Sequence, residues 1–147
     1  MTAMKTEPTP AQRAAIELLR TADQVRRSLA DAIEPHGVTF QQYNVLRILR
    51  GAAPEPLPTL DIRERLIERM PGITRLLDQL EKRGLVRRER SLDDRRVVHA
   101  WITEGGLALL ASMDEDVDQA DEAALARLDA EEHEALLRLL RKVNGPG

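Results

Sequence analysis

A chain of 147 residues can form one domain with a hydrophobic core, and 42% hydrophobic with 32% charged residues is the balance of a globular protein in water. Only 2% of the residues are aromatic, so the core must be aliphatic, which favours packed helices over a β-sandwich. The absence of cysteine excludes disulfides, thiolate metal sites and thiol redox sensing, and no apolar run reaches the roughly twenty residues that span a bilayer.

The N-terminal segment has no apolar signal region, and we therefore expect a cytoplasmic protein without a membrane partner. The net charge of −3 is unevenly distributed along the chain. Residues 62–103 carry eleven Lys and Arg against seven Asp and Glu, a net +4, whereas residues 104–147 carry four against eleven, a net −7. A polyanion would have to dock on the basic stretch, because the acidic C-terminal part repels it.

The first predicted element is a long helix over residues 9–34. Thr9 and Gln12 form a capping box with a proline between them at the first helical position. Ile16 and Leu19 widen the apolar face beyond the stripe that a core helix needs. This width favours a helix shared between two subunits over a core helix of a single chain.

A second helix is predicted from the capping box of Thr39 and Gln42 to Gly51. The connector that follows it, GAAPEPLP, is rich in proline and predicts an extended loop. A third helix is predicted over residues 59–68, with Thr59 as its cap. A turn of a few residues then leads into another helix, which is a helix-turn-helix arrangement.

The fourth helix is predicted over residues 71–83, with Pro71 in its first turn and Gly84 just past its end. Its apolar side chains recur at helical spacing, at Ile73, Leu77 and Leu80. Its outward face is polar and carries Thr74, Arg75, Asp78, Gln79 and Lys82. Such a face can meet a charged partner while the apolar stripe packs on the core.

A β-hairpin is predicted after this helix, with a basic first strand and a charged turn of sequence SLDDRR. In its second strand Val98, Ala100 and Ile102 alternate with Val97, His99 and Trp101. Asp94 and Arg96 are two residues apart, so an extended turn directs both side chains to one side, where the carboxylate can brace the guanidinium. The alternative is two unrelated charges on a solvated turn.

Two helices are predicted to complete the chain. The first begins after Thr103, which caps it, and continues as a long and partly polar helix to Leu128. The second begins at Asp129, with Glu132 at the capping-box position, and a Gly-Pro-Gly sequence ends it. We expect the terminal helices to expose more leucine and isoleucine than one thin layer can cover, which predicts a partner.

The run LDQLEKRGLVRRERSLDDRRVVHAWITEGG resembles the second helix and wing of the MarR-type transcriptional regulators, the multiple antibiotic resistance regulator family. The matching residues are Leu80, Glu81, Lys82, Gly84, Leu85, Val86, Asp94, Arg96, Thr103 and Gly106. The resemblance implies a single domain over 1–147, mainly α with a small two- or three-stranded β-wing. In it a winged helix-turn-helix module over 39–103 is flanked by dimerisation helices over 9–34 and 104–144.

The resemblance further implies a homodimeric DNA-binding regulator, more often a repressor than an activator, on a pseudo-palindromic double-stranded site. The residue types agree with a major-groove role for the fourth helix. Arg75 suits guanine, Gln79 suits the N6 and N7 atoms of adenine, Thr74 suits a phosphate or a thymine methyl, and Lys82 suits a phosphate.

The wing tip offers Arg95 and Arg96 to the adjacent minor groove, where narrow A·T-rich DNA has a strongly negative potential. In the resembled family the Arg of the Asp-x-Arg pair has this role, and here that residue is Arg96. Asp78 and Glu81 oppose DNA binding unless their side chains point sideways. The alternative for the whole set is a solvated basic helix and turn.

The resemblance also implies a small aromatic or phenolic acid that binds between the dimer helices and the winged module and lowers DNA affinity. His36, Tyr43 and Arg47 are candidates for this crevice, although a core or surface role is the more ordinary interpretation of each. The three histidines lie on different predicted elements, so no metal site and no cofactor are expected. No phosphate loop, nucleophile elbow or carboxylate pair points to catalysis.

A second hypothesis is a winged-helix module for protein–protein docking that does not bind DNA and uses the acidic C-terminal helix as its contact surface. The basic excess at residues 62–103 argues against it.

Overall fold

A computed structural model describes Met4 and residues 7–68 and 71–146. Its ten elements are α1 (Pro10–Ile33), a 3₁₀ helix (Glu34–His36), α2 (Phe40–Ala52), β1 (Leu57–Pro58), α3 (Thr59–Arg65), α4 (Ile73–Lys82), β2 (Val86–Arg90), β3 (Val98–Ile102), α5 (Glu104–Ala124) and α6 (Ala130–Asn144). The predicted mainly α fold with a small β-wing is confirmed.

The chain divides into two compact units. One comprises residues 30–117, and the other combines the chain up to Leu29 with the part from Asp118 onward. The single domain over 1–147, the module bounds of 39–103 and the dimerisation role of 9–34 and 104–144 remain predictions.

Helix starts that depend on local side-chain chemistry lie where the sequence places them. The capping boxes of Thr9 with Gln12, Thr39 with Gln42 and Asp129 with Glu132 are all formed. Thr103 caps α5, because its Oγ1 accepts a hydrogen bond from the amide of Gly106 at 3.1 Å. Each cap satisfies backbone N–H groups that have no partner inside the helix.

Two predicted helices are shorter than expected. The helix predicted over 59–68 ends at Arg65, because Leu66 has an extended backbone. Thr59 is its first helical residue and not its cap, since its hydroxyl donates to the carbonyl of Val98 on β3 at 3.1 Å. The helix predicted to reach Leu128 ends at Ala124.

The start of α4 also differs from the prediction over 71–83. Pro71 lies outside the helix, and the N-cap is Gly72 in the left-handed region, with φ of 97° and no side-chain cap. Residues 69 and 70, which hold part of the predicted turn, lie outside the described residues. The C-terminal end is as predicted, because Gly84 has a φ of 72°, which glycine adopts without strain.

The sheet has three antiparallel strands in the order β1-β3-β2. Strand β1 lies in the connector GAAPEPLP, where the sequence predicted only an extended loop, and pairs Leu57 with Ala100. The wing pairing places Val86 opposite Ile102 and Arg88 opposite Ala100. Leu57 and Pro58 are too few residues to show the two-residue repeat of a strand, so β1 can be identified only from its pairing with β3.

The core of the 30–117 unit is aliphatic, as the composition predicts. Its fully buried side chains include Leu46, Leu49, Ile62, Leu77, Leu80, Leu110 and Met113. Gly106 lets the first turn of α5 approach the wing closely, because a Cβ there would lie 2.4 Å from the carbonyl oxygen of Leu85. The apolar stripe of α4 is buried in this core, and its polar face is left toward solvent.

No helix within the described part of the chain has both the length and the apolar character needed to cross a bilayer.

Candidate nucleic-acid interface

The exposed face of α4 carries the polar residues that the sequence selected. Ile73, Leu76, Leu77 and Leu80 are buried, so the helix packs on the core along one stripe. Thr74, Arg75, Gln79 and Lys82 are all exposed. Because α4 begins at Ile73, Thr74 and Arg75 lie in its first turn, the part of a recognition helix that meets base edges.

The two carboxylates of α4 are bound by one arginine of the wing. Arg88 Nη2 donates to Asp78 and also to Glu81 Oε1 at 3.1 Å, while the backbone amide of Arg88 donates to Glu81 Oε2 at 2.8 Å. The side chain of Arg88 is only 18% exposed. Asp78 and Glu81 are therefore directed toward β2, where the single positive charge of Arg88 offsets part of their two negative charges.

The environment of Arg88 favours its charged form. Partial burial lowers the pKa of the guanidinium, but the hydrogen bonds and charges of Asp78 and Glu81 outweigh it, so the pKa lies above its ordinary value. This ion-paired cluster also fixes α4 against strand β2, because three hydrogen bonds join the two elements.

The turn between β2 and β3 is closed by its own hydrogen bonds. The hydroxyl of Ser91 accepts from the amides of Asp93 and Asp94 at 3.2 and 3.3 Å, and the amide of Ser91 donates to the carbonyl of Val97 at 2.8 Å. Arg90 Nη1 donates to the carbonyl of Arg95 at 2.6 Å. The wing tip is therefore an ordered turn that presents charged side chains to solvent.

Asp94 and Arg96 form a two-pronged ion pair on this turn. Arg96 Nε and Nη2 donate to Asp94 Oδ1 and Oδ2 at 3.0 and 3.1 Å, and the amide of Arg96 donates to Oδ1 at 3.1 Å. These hydrogen bonds from Arg96 hold the pKa of the Asp94 carboxyl below its usual value. The side chain of Arg96 is 90% exposed, so it is oriented by Asp94 yet accessible to a ligand.

The base of the wing is held by a cation–π contact. Arg87 and Trp101 are direct partners across β2 and β3, and the guanidinium carbon of Arg87 lies 4.4 Å from the ring centroid. Arg87 also pairs with Glu89 on the same strand. This arginine stabilises the hairpin on the face opposite to Arg88.

A family model and curated relatives both match this chain. The MarR family model matches residues 38–98. The transcriptional regulator HosA of Escherichia coli is 35% identical over 107 residues, which cover 72% of this chain and 77% of HosA. The chain belongs to the MarR family.

Solved structures agree with this assignment. A MarR transcription factor from Planctomyces limnophilus is 39% identical, with a TM-score of 0.71 over 92% of this chain and 98% of that one. A mutant of MarR from E. coli, in a complex with operator DNA, is 27% identical, with a TM-score of 0.78 over 88% and 91% of the two chains. The MarR family is one of transcriptional regulators.

The three residues suggested for an effector crevice have different environments in this MarR-family fold. His36 Nε2 lies 2.8 Å from Asp116 Oδ2, the ring of Tyr43 is buried, and Arg47 is exposed on α2. Their role as contacts of an effector stays a prediction. Among the described residues no cluster of histidine and carboxylate side chains could hold a metal ion.

The residue that sequence reasoning missed at this MarR-family interface is Arg88. The sequence alone predicts Arg88 as one member of the basic run in the first wing strand. A signal was present, because Arg88 follows Val86 by two residues, and alternation in a strand turns both side chains to the buried face. An arginine on that face needs carboxylate partners, and α4 supplies them.

Proposed function

We propose that this MarR-family protein is a homodimeric transcription factor that binds a pseudo-palindromic site in double-stranded DNA and acts as a repressor by occupying a promoter. The observation that carries the proposal is the ion-paired cluster of Arg88 with Asp78 and Glu81. It directs both carboxylates of α4 toward β2 and offsets part of their charge, beside the helix face that exposes Arg75, Gln79 and Lys82. A face arranged in this way fits a polyanion.

In this proposal α4 enters the major groove. Arg75 donates to guanine O6 and N7, Lys82 contacts a phosphate, and Thr74 contacts a phosphate or a thymine methyl group. Gln79 contacts a base edge from the same face. The similarity in fold and sequence to E. coli MarR, of which a mutant is solved in a complex with operator DNA, supports the binding of DNA.

The wing enters the minor groove beside that major groove. Arg96 is the principal contact because Asp94 already holds its guanidinium in one orientation, which reduces the conformational entropy lost on binding. Arg95 contributes a second positive charge at the tip. Narrow A·T-rich segments favour this contact because their minor groove has the most negative potential.

Dimerisation is supported by the terminal helices. On α1 Leu19 is 71% exposed, and on α6 Val143 is 72% exposed. Ile16, Leu18, Leu137 and Leu139 are exposed on the same two helices. Apolar surface of this extent favours a partner, and a second copy of the chain is the most common one for a soluble protein.

We also propose that a small aromatic or phenolic acid lowers the DNA affinity, with His36, Tyr43 and Arg47 as candidate contacts. Such an effector must prefer one spacing of the two α4 helices, because a ligand that binds both spacings equally does not change the equilibrium between them. Hydroxybenzoic acids added to a DNA titration are suitable probes.

In this proposal the protein acts without catalysis and without a cofactor, in the cytoplasm.

The proposal predicts a steep dependence of DNA affinity on salt. A dimer that neutralises about six to ten phosphates loses roughly 10³- to 10⁵-fold in affinity between 50 and 200 mM salt, because bound cations are released from the DNA. Fluorescence anisotropy with a labelled random-sequence duplex measures the slope.

A docking module without DNA affinity is the rival hypothesis, and the same titration separates the two. A docking module shows no salt-dependent binding to the duplex at any protein concentration tested. That result would contradict the proposed function. An acidic homopolymer such as polyglutamate serves as the control for non-specific attraction, because it lacks grooves.

A further inference from the structure

The side chain of Gln79 is connected to the capping box of α2. The amide of Thr39 donates to Gln42 Oε1 at 3.0 Å, and Thr39 Oγ1 accepts from the amide of Gln42 at 3.1 Å. Gln42 Nε2 donates to Gln79 Oε1 at 3.2 Å. A capping residue of one helix is therefore hydrogen-bonded to a candidate base-reading residue of another.

The orientation of both glutamine amides follows from this chain of hydrogen bonds. A backbone N–H can only donate, so the oxygen of Gln42 must face Thr39 and its NH2 group must face α4. That NH2 group can only donate in turn, so the oxygen of Gln79 must face Gln42. The NH2 group of Gln79 is left as the group that points away from α2, on the exposed face of α4.

We infer that Gln42 fixes Gln79 as a hydrogen-bond donor and that Gln79 thereby selects a base with a keto oxygen, guanine or thymine, at the position it faces. This inference rests on the DNA-binding function proposed above and adds the specificity of one contact. Guanine offers only acceptors, O6 and N7, and thymine offers the acceptor O4, whereas cytosine offers only the donor N4 and adenine sets the donor N6, which opposes a second donor, beside its acceptor N7. Residue type alone suggests adenine, but that two-pronged pairing needs both the NH2 group and the oxygen of Gln79 on the base, and the oxygen is directed at Gln42.

The substitution Gln42→Glu tests the orientation without removing the capping box. Glutamate is also favourable at this box position, so one carboxylate oxygen still accepts from the amide of Thr39. The other oxygen now accepts from Gln79, whose side-chain amide must rotate to place its NH2 group toward α2. The oxygen of Gln79 then faces the DNA and accepts from adenine N6 or cytosine N4.

The measurement is selection of bound duplexes from a random pool, followed by sequencing, at one fixed salt concentration. We expect the parent protein to prefer keto over amino bases at one position per half-site by about tenfold. Gln42→Glu is expected to reverse this preference at the same position. Gln79→Ala, a change on an exposed helix face, is expected to abolish it.

The matched control is Gln41→Glu, the same change at the neighbouring residue, which adds the same negative charge but does not alter the hydrogen bond between Gln42 and Gln79. Both glutamates are expected to lower the overall affinity, but only Gln42→Glu should change the base preference. A keto preference that persists in Gln42→Glu or in Gln79→Ala overturns the inference. A parent protein that binds no duplex at all contradicts the proposed function instead, so the two failures are distinguishable.

Discussion

Replacing Arg88 by alanine is expected to lower DNA affinity by about a hundredfold or more. The change leaves Asp78 and Glu81 without their partner in each subunit, and the unpaired carboxylates repel the phosphates of the bound duplex. The free energy of unfolding should fall by only about 1–2 kcal/mol, because both carboxylates are half-exposed and water replaces part of the lost interaction. Anisotropy titration and chemical denaturation measure the two effects separately.

The control for Arg88→Ala is Arg87→Ala. It removes the same charge from the adjacent residue of β2, but Arg87 contacts Trp101 and Glu89 and not α4. We expect its effect on DNA affinity to be several times smaller than that of Arg88→Ala. A comparable loss in both variants would mean that only net charge matters.

A second variant separates repulsion from misplacement of α4. Adding Asp78→Asn and Glu81→Gln to Arg88→Ala removes the unpaired charges but does not restore the link between α4 and β2. Recovery of most of the DNA affinity identifies repulsion as the main cause of the loss. If this triple variant binds as weakly as Arg88→Ala, the explanation by carboxylate neutralisation is wrong.

Arg96→Ala is expected to lower DNA affinity by about tenfold per subunit, and so by about a hundredfold for the dimer, at every sequence tested. The slope of log affinity against log salt should also fall by about 2, because each subunit loses one cationic contact. Arg20→Ala on α1 is the control, since it removes an exposed charge that pairs with Glu17 in its own helix. Equal binding by Arg96→Ala and the parent protein at moderate salt would refute the role of the wing.

The variant Asp94→Asn tests whether Asp94 acts by orienting Arg96 or only through its negative charge. Removing a negative charge near DNA should raise the affinity if only net charge matters, but it should lower the affinity if Asp94 orients Arg96. We expect the affinity to fall, by less than in Arg96→Ala.

The pKa of Asp94 is lowered in the folded protein, so the ion pair is complete above the unfolded pKa and is lost as the pH falls through the folded value.

What the sequence predicted correctly depends on interactions between neighbours in the chain. The capping boxes at Thr9, Thr39 and Asp129 involve residues three positions apart, and the apolar stripe of α4 follows from helical spacing alone. The Asp94–Arg96 pair also lies within one turn. Local geometry determines such features, so the residue types suffice to indicate them.

The features that sequence reasoning missed are tertiary. Strand β1 forms only because β3 lies beside Leu57 and Pro58, and α3 begins without the expected cap because the hydroxyl of Thr59 bonds to Val98. The contact from Gln42 to Gln79 joins residues 37 positions apart. The contact between the two glutamines leaves no periodic pattern in either segment. For Arg88, alternation from Val86 indicates the buried face of the strand but not the carboxylate partners that α4 supplies.

The central claim is that two copies of α4 and its wing are held at a fixed separation on one DNA duplex. Hydroxyl-radical footprinting of the protein on the duplex that it selects from a random pool tests this directly. We predict two equivalent protected segments about 34 Å apart along the helix axis, each with protection extending into the adjacent minor groove. A single protected segment without a symmetry-related copy, or protection without the minor-groove extension, would contradict it.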